Sequence, residues 1–560
     1  MLNVEHIWIA YAFLLGLIGQ AAVRKIYSVI VAFRTLGACP GRYPILFSPH
    51  LLTTNAMAPY FPFRGWFGHY FTTFDFYARH GSTCLSSVVL SDSTPVYWFS
   101  DAEAFKVVST EIGVLYEKDM VLYDSSTGPG FNFLGDNIVG SCGKAWKRHR
   151  MIANPAFSES NISLVWRETI RILNEWTSAL QQSTENGSTE LKIFNTLKHV
   201  TTMVFTSAAF GKHCAWSESA VASKQDVVDL LSTAERLYMA KILLPEWIYI
   251  FAGMVHIPGL SPLLDLTQRT YRALDDQIRE LISASRADLL DERTMDRSEG
   301  ALLRAFVKAN MVFQEDSPGS KDQRRHLTDQ ELLADMFAFL LAGQETAAAT
   351  TSMALAYIAL YPELQDRVFH EVCQVWPAGP PQEVDEMDNR TTYPRLKYTT
   401  AFVNETLRHF PAGSRLGRVV LRDTALPAQR FYRDSEGLYK TQPYSVPITK
   451  GSKILLDFGA LHMNPLYWGD DAVDFNPDKF IDTDSYRWPR EAFMAFSHGP
   501  RNCIGQRFAM TEVVCILAYI TRKYRVVVPD GLAGKPEVLL EWKPQTANVP
   551  LNARVKLCPR

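Results

Sequence analysis

The residues best suited to chemistry in this sequence gather around one cysteine. Cys503 sits in Phe496-Ser-His-Gly-Pro-Arg-Asn-Cys503-Ile-Gly505, a loop directly before an apolar helical stretch over residues 506–519. A thiolate there is stabilised by the helix dipole and by nearby N–H groups, which suits a nucleophile or a metal ligand. Gly499 and Gly505 let the backbone approach a flat cofactor, and Arg501 offers a two-pronged donor to a carboxylate. A structural zinc site would need a spaced ligand quartet, but the next cysteine, Cys515, is twelve residues on and no quartet is present. A buried, unreactive cysteine is the plainer reading of the same residue.

Three further patterns place polar groups at spacings that a helix turns into clusters. Ala342-Gly-Gln-Glu-Thr346 puts a glycine, a carboxylate and a hydroxyl inside an almost entirely apolar stretch. Glycine costs about 1 kcal/mol against alanine in a helix interior, and a buried carboxylate costs more unless paired. Either these residues form a site, or Gly343 allows close packing while Thr346 bonds the carbonyl four residues back. The residues alone leave both open. Trp146-Lys-Arg-His-Arg150 sets an indole N–H and a guanidinium at i,i+4 on one helix face, with a basic amphipathic helix as the alternative. Glu405-Thr-Leu-Arg408 sets an acid and a base at i,i+3, which in isolation is a weak surface bridge.

Rigid elements must hold these residues. Thr328 and Glu331 form a capping-box pattern and no proline follows before Tyr361, so the spacing predicts one helix of about 33 residues and about 50 Å. Its apolar centre predicts passage through a core. Residues 7–23 carry no charge, and as a helix they would be about 26 Å long, close to the roughly 27 Å endoplasmic reticulum bilayer. Glu5 precedes this run while Arg24, Lys25 and Arg34 follow it. Those flanks favour an anchor over a cleaved signal peptide and leave the rest of the chain cytosolic. A second uncharged run, residues 247–264, contains Pro258, Gly259 and Pro262. It reads as a broken, surface-dipping segment or as buried core, not as a span. Residues 39–49 read as a proline-rich hinge, and residues 185–190, 316–323 and 377–388 as loops.

The cysteine loop resembles the F-x-x-G-x-R-x-C-x-G signature of the cytochrome P450 haem-thiolate monooxygenases at every fixed position. The other motifs follow in that family's order from Trp146 to Gly505. The resemblance implies a mainly α-helical fold with a small β-sheet region, here preceded by a single N-terminal transmembrane helix. It implies haem b with the Cys503 thiolate as axial ligand, in a family where the sulfur favours O–O cleavage. Trp146, Arg150, Arg418 and Arg501 would meet the two haem propionates, since a buried dianion needs neutralising. Thr346 and Glu345 would hold dioxygen and its proton relay. Glu405 and Arg408 would form a buried structural lock. In Pro477-Asp-Lys-Phe480 the lock's usual arginine is Lys479, which loses bidentate pairing although an ammonium can still donate to Glu405.

The same resemblance implies an activity and partners. One oxygen atom from O2 would enter an apolar small molecule, by hydroxylation or epoxidation, with electrons from NADPH-cytochrome P450 reductase on the same lipid membrane. Lys144, Lys147, Arg148 and Arg507 would form its docking face. Residues 124–134 (with Phe131 and Phe133), Ala338, Ala342 and residues 412–416 would contact the substrate. The style of residues 138–158 resembles fungal members, which points to a terpenoid or other secondary metabolite as substrate. A haem-thiolate isomerase or dehydratase needing no reductase is one rival, against which Glu345 and Thr346 stand. A non-catalytic haem-binding protein is the other.

The 560-residue chain has 57 basic and 59 acidic side chains, a formal charge of −2, which excludes nucleic-acid binding through bulk charge. Its 47% apolar and 21% charged composition excludes long disorder. Length alone suggests several domains. The motifs, however, serve one site, so the expected organisation is an anchor with its flank (1–38), a hinge (39–49) and one large haem-binding monooxygenase domain (50–560). Eight scattered cysteines form no disulfide framework and fit a reducing compartment. With the flanking charges, this places the catalytic domain on the cytosolic side of the endoplasmic reticulum membrane. Sequons beginning at Asn161, Asn186, Asn389 and Asn404 test that topology.

Overall fold

The long apolar segments form helices, and the short β-branched segments form strands of limited extent. The computed structural model describes residues 4–46, 48, 74–119, 132, 134–182, 188–213, 215–216, 227–244, 246–255, 257–290, 300–315, 326–382, 388–544 and 547–560. The helices that matter here are α1 (Val4–Thr35), α2 (Gly143–Ala153), α3 (Glu159–Gln182), α4 (Ile193–Phe210), α5 (Glu246–Met254), α6 (Leu260–Leu290), α7 (Asp329–Leu360), α8 (Lys397–His409) and α9 (Gln506–Lys523). The fold is mainly α with small sheets, as the sequence implied.

The predicted long helix is α7. Thr328 Oγ1 accepts the Glu331 N–H at 3.2 Å while Glu331 Oε2 accepts the Thr328 N–H at 2.9 Å, completing the capping box. The helix packs against α4, α8 and α9 through the largest apolar cluster of the protein. It is therefore buried over most of its length, as its apolar composition predicts.

The largest sheet has six strands in the order β1 (Gly41–Ile45), β2 (Cys84–Val89), β3 (Thr94–Phe99), β9 (Lys453–Asp457), β6 (Arg415–Val420) and β4 (Tyr116–Glu117). β1 pairs with β2 and β3 with β9 in parallel, and the other neighbours are antiparallel. A second sheet is the hairpin of β7 (Thr424–Arg433) and β8 (Tyr439–Ile448). A third joins β5 (Thr189–Lys192), β13 (Arg554–Pro559) and β10 (Tyr524–Val527), and β11 (Trp542–Pro544) pairs with β12 (Asn548–Pro550). Part of the expected hinge is thus a sheet-edge strand, β1.

At the N-terminus the helix outruns the expected 7–23 span. α1 continues through Arg24 and Lys25 to Thr35, and Phe13–Thr35 is long and apolar enough to cross a membrane. Arginine and lysine are good helix formers, so the charges that end the apolar run do not end the helix. Its last turns rest on the protein. Lys25 Nζ donates to Ser91 O at 2.7 Å, Ser28 and Ser93 hydroxyls meet at 2.8 Å, Tyr97 OH donates to Thr35 O at 3.3 Å, and Ala32 is buried. Residues 247–264 are broken, as expected: α5 leaves Trp247, Ile250, Phe251 and Met254 exposed and Tyr249 buried, and a turn at Pro258 and Gly259 separates it from α6.

Candidate active site

The cysteine loop is shaped by its glycines. Gly499 has φ 74°, and an added Cβ would lie 2.6 Å from Ser109 O, so only glycine fits. Cys503 N–H donates to Phe496 O at 2.9 Å, which closes the loop ahead of α9. The cysteine is accessible although it lies deep in the molecule. Burial pushes the thiol up, while the Gly505 N–H and the positive charge of Arg150 act in the opposite direction. A Cβ on Gly505 would stand 3.9 Å from Cys503 Sγ, in ordinary contact with it.

A cluster of cations lies beside the loop. Arg150 donates to Asn502 O at 2.8 Å and to Asn502 Oδ1 at 3.0 Å. The Arg501 guanidinium lies 4.5 Å over the Trp146 ring, donates to Ser141 O at 3.0 Å, and leaves its Nε buried without a hydrogen-bond partner. Arg418 is buried on β6. Lys118, just beyond β4, donates to Val139 O, and its ammonium is driven down to about 7 by burial, then by Arg501 and Arg418. Glu117, 3.6 Å from Arg501, is the carboxylate beside them. Arg150, Arg418, Arg501 and Lys118 gathered beside the loop suit a dianionic group. The residues present therefore fit the two propionates of a haem. Lys118 was missed in the sequence, where it falls in none of the motifs.

α7 carries the remaining predicted residues. From Leu332 to Ala359 every residue is buried except Ala338, Ala342, Gly343 and Thr346. Ala338, Ala342 and Thr346 are at i, i+4 and i+8, so one line of an otherwise buried helix is accessible. Thr346 Oγ1 donates to Ala342 O at 2.8 Å, and Glu345 is buried. A Cβ on Gly343 would meet the Phe205 ring at 2.6 Å, so this glycine does allow close packing. The helix thus packs and back-bonds as the plain reading requires, and it also leaves one line accessible. Thr201 Oγ1 donates to Gln344 O at 3.0 Å, and Thr202 bonds the Gln344 side chain. Two phenylalanines link this helix to the cysteine loop. Phe205 meets Phe508 of α9 at 5.5 Å, and Phe157, beside Gly505, meets Phe339 at 6.1 Å.

The lock forms, but not with the expected third member. Arg408 donates to Glu405 through Nε at 2.7 Å and Nη2 at 2.8 Å, and its Nη1 reaches His462 O at 2.8 Å. Lys479 does not serve Glu405. Its shorter, single-headed ammonium binds Asp471 Oδ1 at 2.6 Å and Trp468 O at 3.3 Å, and the Asn476 N–H takes the free carboxylate position at 2.6 Å.

The expected docking face is also reduced. Arg148 is part-buried against Glu331, while Lys144, Lys147 and Arg507, the last beside Glu159, are exposed. Of the expected substrate contacts, residues 124–131 and 133 lie outside the described residues. Residues 412–416 are fixed by hydrogen bonds from Asn548 N to Ala412 O at 2.8 Å and from Phe458 N to Ser414 O at 2.9 Å. Among the sequons, Asn161 and Asn389 are buried and hydrogen-bonded, to Ala156 O and Ser163 Oγ respectively, and Asn186 lies outside the described residues.

Comparison with known proteins agrees with this geometry. A family model described as Cytochrome P450 matches residues 93–556. Cytochrome P450 monooxygenase 124 of Postia placenta is 30% identical over 460 residues, covering 81% of this chain and 80% of the relative. Cytochrome P450 monooxygenase prx9 of Penicillium rubens is 26% identical, covering 72% and 69%. Echinocystic acid 23-monooxygenase of Saponaria officinalis is 25% identical, covering 75% and 73%. A cysteine at the head of a helix, an accessible face on a buried one and a family match across most of the chain lead to one assignment: this protein belongs to the cytochrome P450 family of haem-thiolate oxidoreductases.

Proposed function

We propose that this chain is a haem b monooxygenase that inserts one oxygen atom of O2 into an apolar small molecule, a terpenoid or another secondary metabolite. The observation that carries this reading is the accessible line of Ala338, Ala342 and Thr346 on a buried helix, joined through Phe157 and Phe205 to the loop of an accessible Cys503. Haem, when bound, supplies the activation of dioxygen. Cys503 would ligate the iron, and Trp146, Arg150, Arg418, Arg501 and Lys118 would surround the propionates. Thr346 gives its own proton to Ala342 O, so its oxygen lone pairs remain to accept a proton-bearing partner. It therefore positions an incoming proton. Glu345, the next residue and buried, is the relay member of the pair. The methyl groups of Ala338 and Ala342 offer an apolar, water-excluding wall that suits an apolar substrate.

Electrons would come from NADPH-cytochrome P450 reductase, with Lys144, Lys147 and Arg507 as exposed cations for its acidic face. Endoplasmic reticulum anchoring through α1, with the catalytic domain cytosolic, is supported by Arg24, Lys25 and Arg34 following the apolar run. The buried amides of Asn161 and Asn389 support the same side, since glycans there would clash with the fold. The exposed apolar face of α5 offers a second, shallow contact with lipid. The proposed organisation is anchor (1–38), hinge (39–49) and one catalytic domain (50–560). The reading is tested with purified protein, reductase, NADPH and labelled 18O2 on a terpenoid panel. The expected product carries one labelled oxygen and requires NADPH and reductase. Turnover of a hydroperoxide without reductase, and none with it, would overturn the reading in favour of an isomerase.

A further inference from the structure

A buried pair joins the helix that carries Arg150 to the helix that carries Thr346. His149 Nδ1 lies 2.5 Å from Asp335 Oδ2, and neither side chain reaches solvent. The other oxygen, Asp335 Oδ1, accepts the Ile138 N–H at 2.8 Å, so one carboxylate on α7 holds both α2 and the segment leading into it. On the far side of the ring, His149 Nε2 is 3.8 Å from Glu331 Oε1, and Glu331 also pairs with Arg148. Burial raises the Asp335 carboxyl and the bond from His149 lowers it. Apolar residues of similar volume would usually fill such a place at no loss of stability, so a buried polar pair calls for another reason.

Helix geometry indicates what the pair orients. Asp335, Ala338, Ala342 and Thr346 are at i, i+3, i+7 and i+11, along one face of α7. His149 immediately precedes Arg150, whose guanidinium grips Asn502, the neighbour of Cys503. Asp335 and Thr346 are separated by about 16 Å along the helix axis, too far for a proton to pass directly between them. Any influence must act through placement. We propose that His149 and Asp335 are positioning residues whose bond fixes the rotation and axial register of α7 against α2, and so the Thr346 face against the cysteine loop. This inference rests on the roles of Cys503, Arg150 and Thr346 given above.

The test uses the full-length haem protein and its Asp335→Ala, His149→Phe, Asp335→Asn and doubly substituted variants. The readouts are haem bound per chain, the infrared stretching band of carbon monoxide on the reduced protein, and peroxide leakage. In leakage, two electrons from NADPH and two protons reduce O2 to hydrogen peroxide without product. Each single loss of the link should broaden or shift the carbon monoxide band and raise peroxide per NADPH severalfold. The double variant should be no worse than the worse single one, because both cut the same link. Asp335→Asn, which keeps one hydrogen bond, should fall between. If Asp335→Ala does not take up haem, Asp335→Asn and His149→Gln decide by the same readouts. Variants that melt earlier but keep the wild-type band and peroxide yield, or whose effects simply add, would overturn the positioning role. A wild-type protein without a thiolate-type carbon monoxide spectrum would instead overturn the site reading beneath it.

Discussion

At Glu405 two effects of opposite sign compete. Burial alone would raise its carboxyl, but hydrogen bonds and charge from Arg408 and His409 hold it down at about 2, against 4.5 for a free glutamate. A depressed carboxyl contributes stability that is fully present above the unfolded value and is lost as pH falls toward the folded one. The lock should therefore lose about 3 kcal/mol between roughly pH 4.5 and 2. Urea unfolding at a series of pH values should show this slope, and Glu405→Gln should flatten it while costing about 3–5 kcal/mol at neutral pH, because Arg408 is left buried and uncompensated. A variant that keeps the full acid slope would assign it to other carboxylates. At this scale the sequence was most legible where spacing and chemistry coincide, as at Glu405 with Arg408 and at Cys503. It was silent where partners come from distant segments. Nothing near Lys479 announces Asp471, nothing near Lys118 announces Arg418, and His149 inside a basic run gives no sign of Asp335.

Among the elements, α7 was legible to within a residue because its ends are written locally. Thr328 and Glu331 start it, and the proline-free apolar run carries it to Leu360. Thr328→Ala should cost about 1 kcal/mol, read from the thermal midpoint, with the haem spectrum unchanged. Gly343→Ala separates helix propensity from packing. Alanine gains about 1 kcal/mol as a helix former, but its methyl would press on Phe205, itself enclosed by Phe210 and Phe508. Overpacking costs about 1–3 kcal/mol, so the net change should be destabilising. A raised midpoint in Gly343→Ala would show that the Phe205 ring can move aside. The end of α1 lies beyond the charges that close the apolar run, which do not stop a helix; it runs on to Thr35, and Gly37 follows at φ 55°.

For the whole molecule, length alone suggests several domains, whereas one family model spans residues 93–556. Removing residues 1–24 should free the protein from carbonate-washed membranes without lowering its thermal midpoint. Removing residues 1–36 should lower it, because Ala32 and Leu36 cover part of the apolar cluster around Tyr97. Equal midpoints for the two truncations would mean that these contacts contribute nothing. Surface charge acts at the same scale. Lys144→Glu with Lys147→Glu should slow reduction by the reductase, most strongly at low salt, and leave the carbon monoxide spectrum intact. Stopped-flow reduction rates unaffected by both substitutions would move the docking face elsewhere. The central claim, a haem held by the Cys503 thiolate, is tested most directly by the reduced carbon monoxide difference spectrum. The full-length protein should give the red-shifted Soret band of thiolate-bound iron and Cys503→Ala should lose it. The same band persisting in Cys503→Ala would contradict the account.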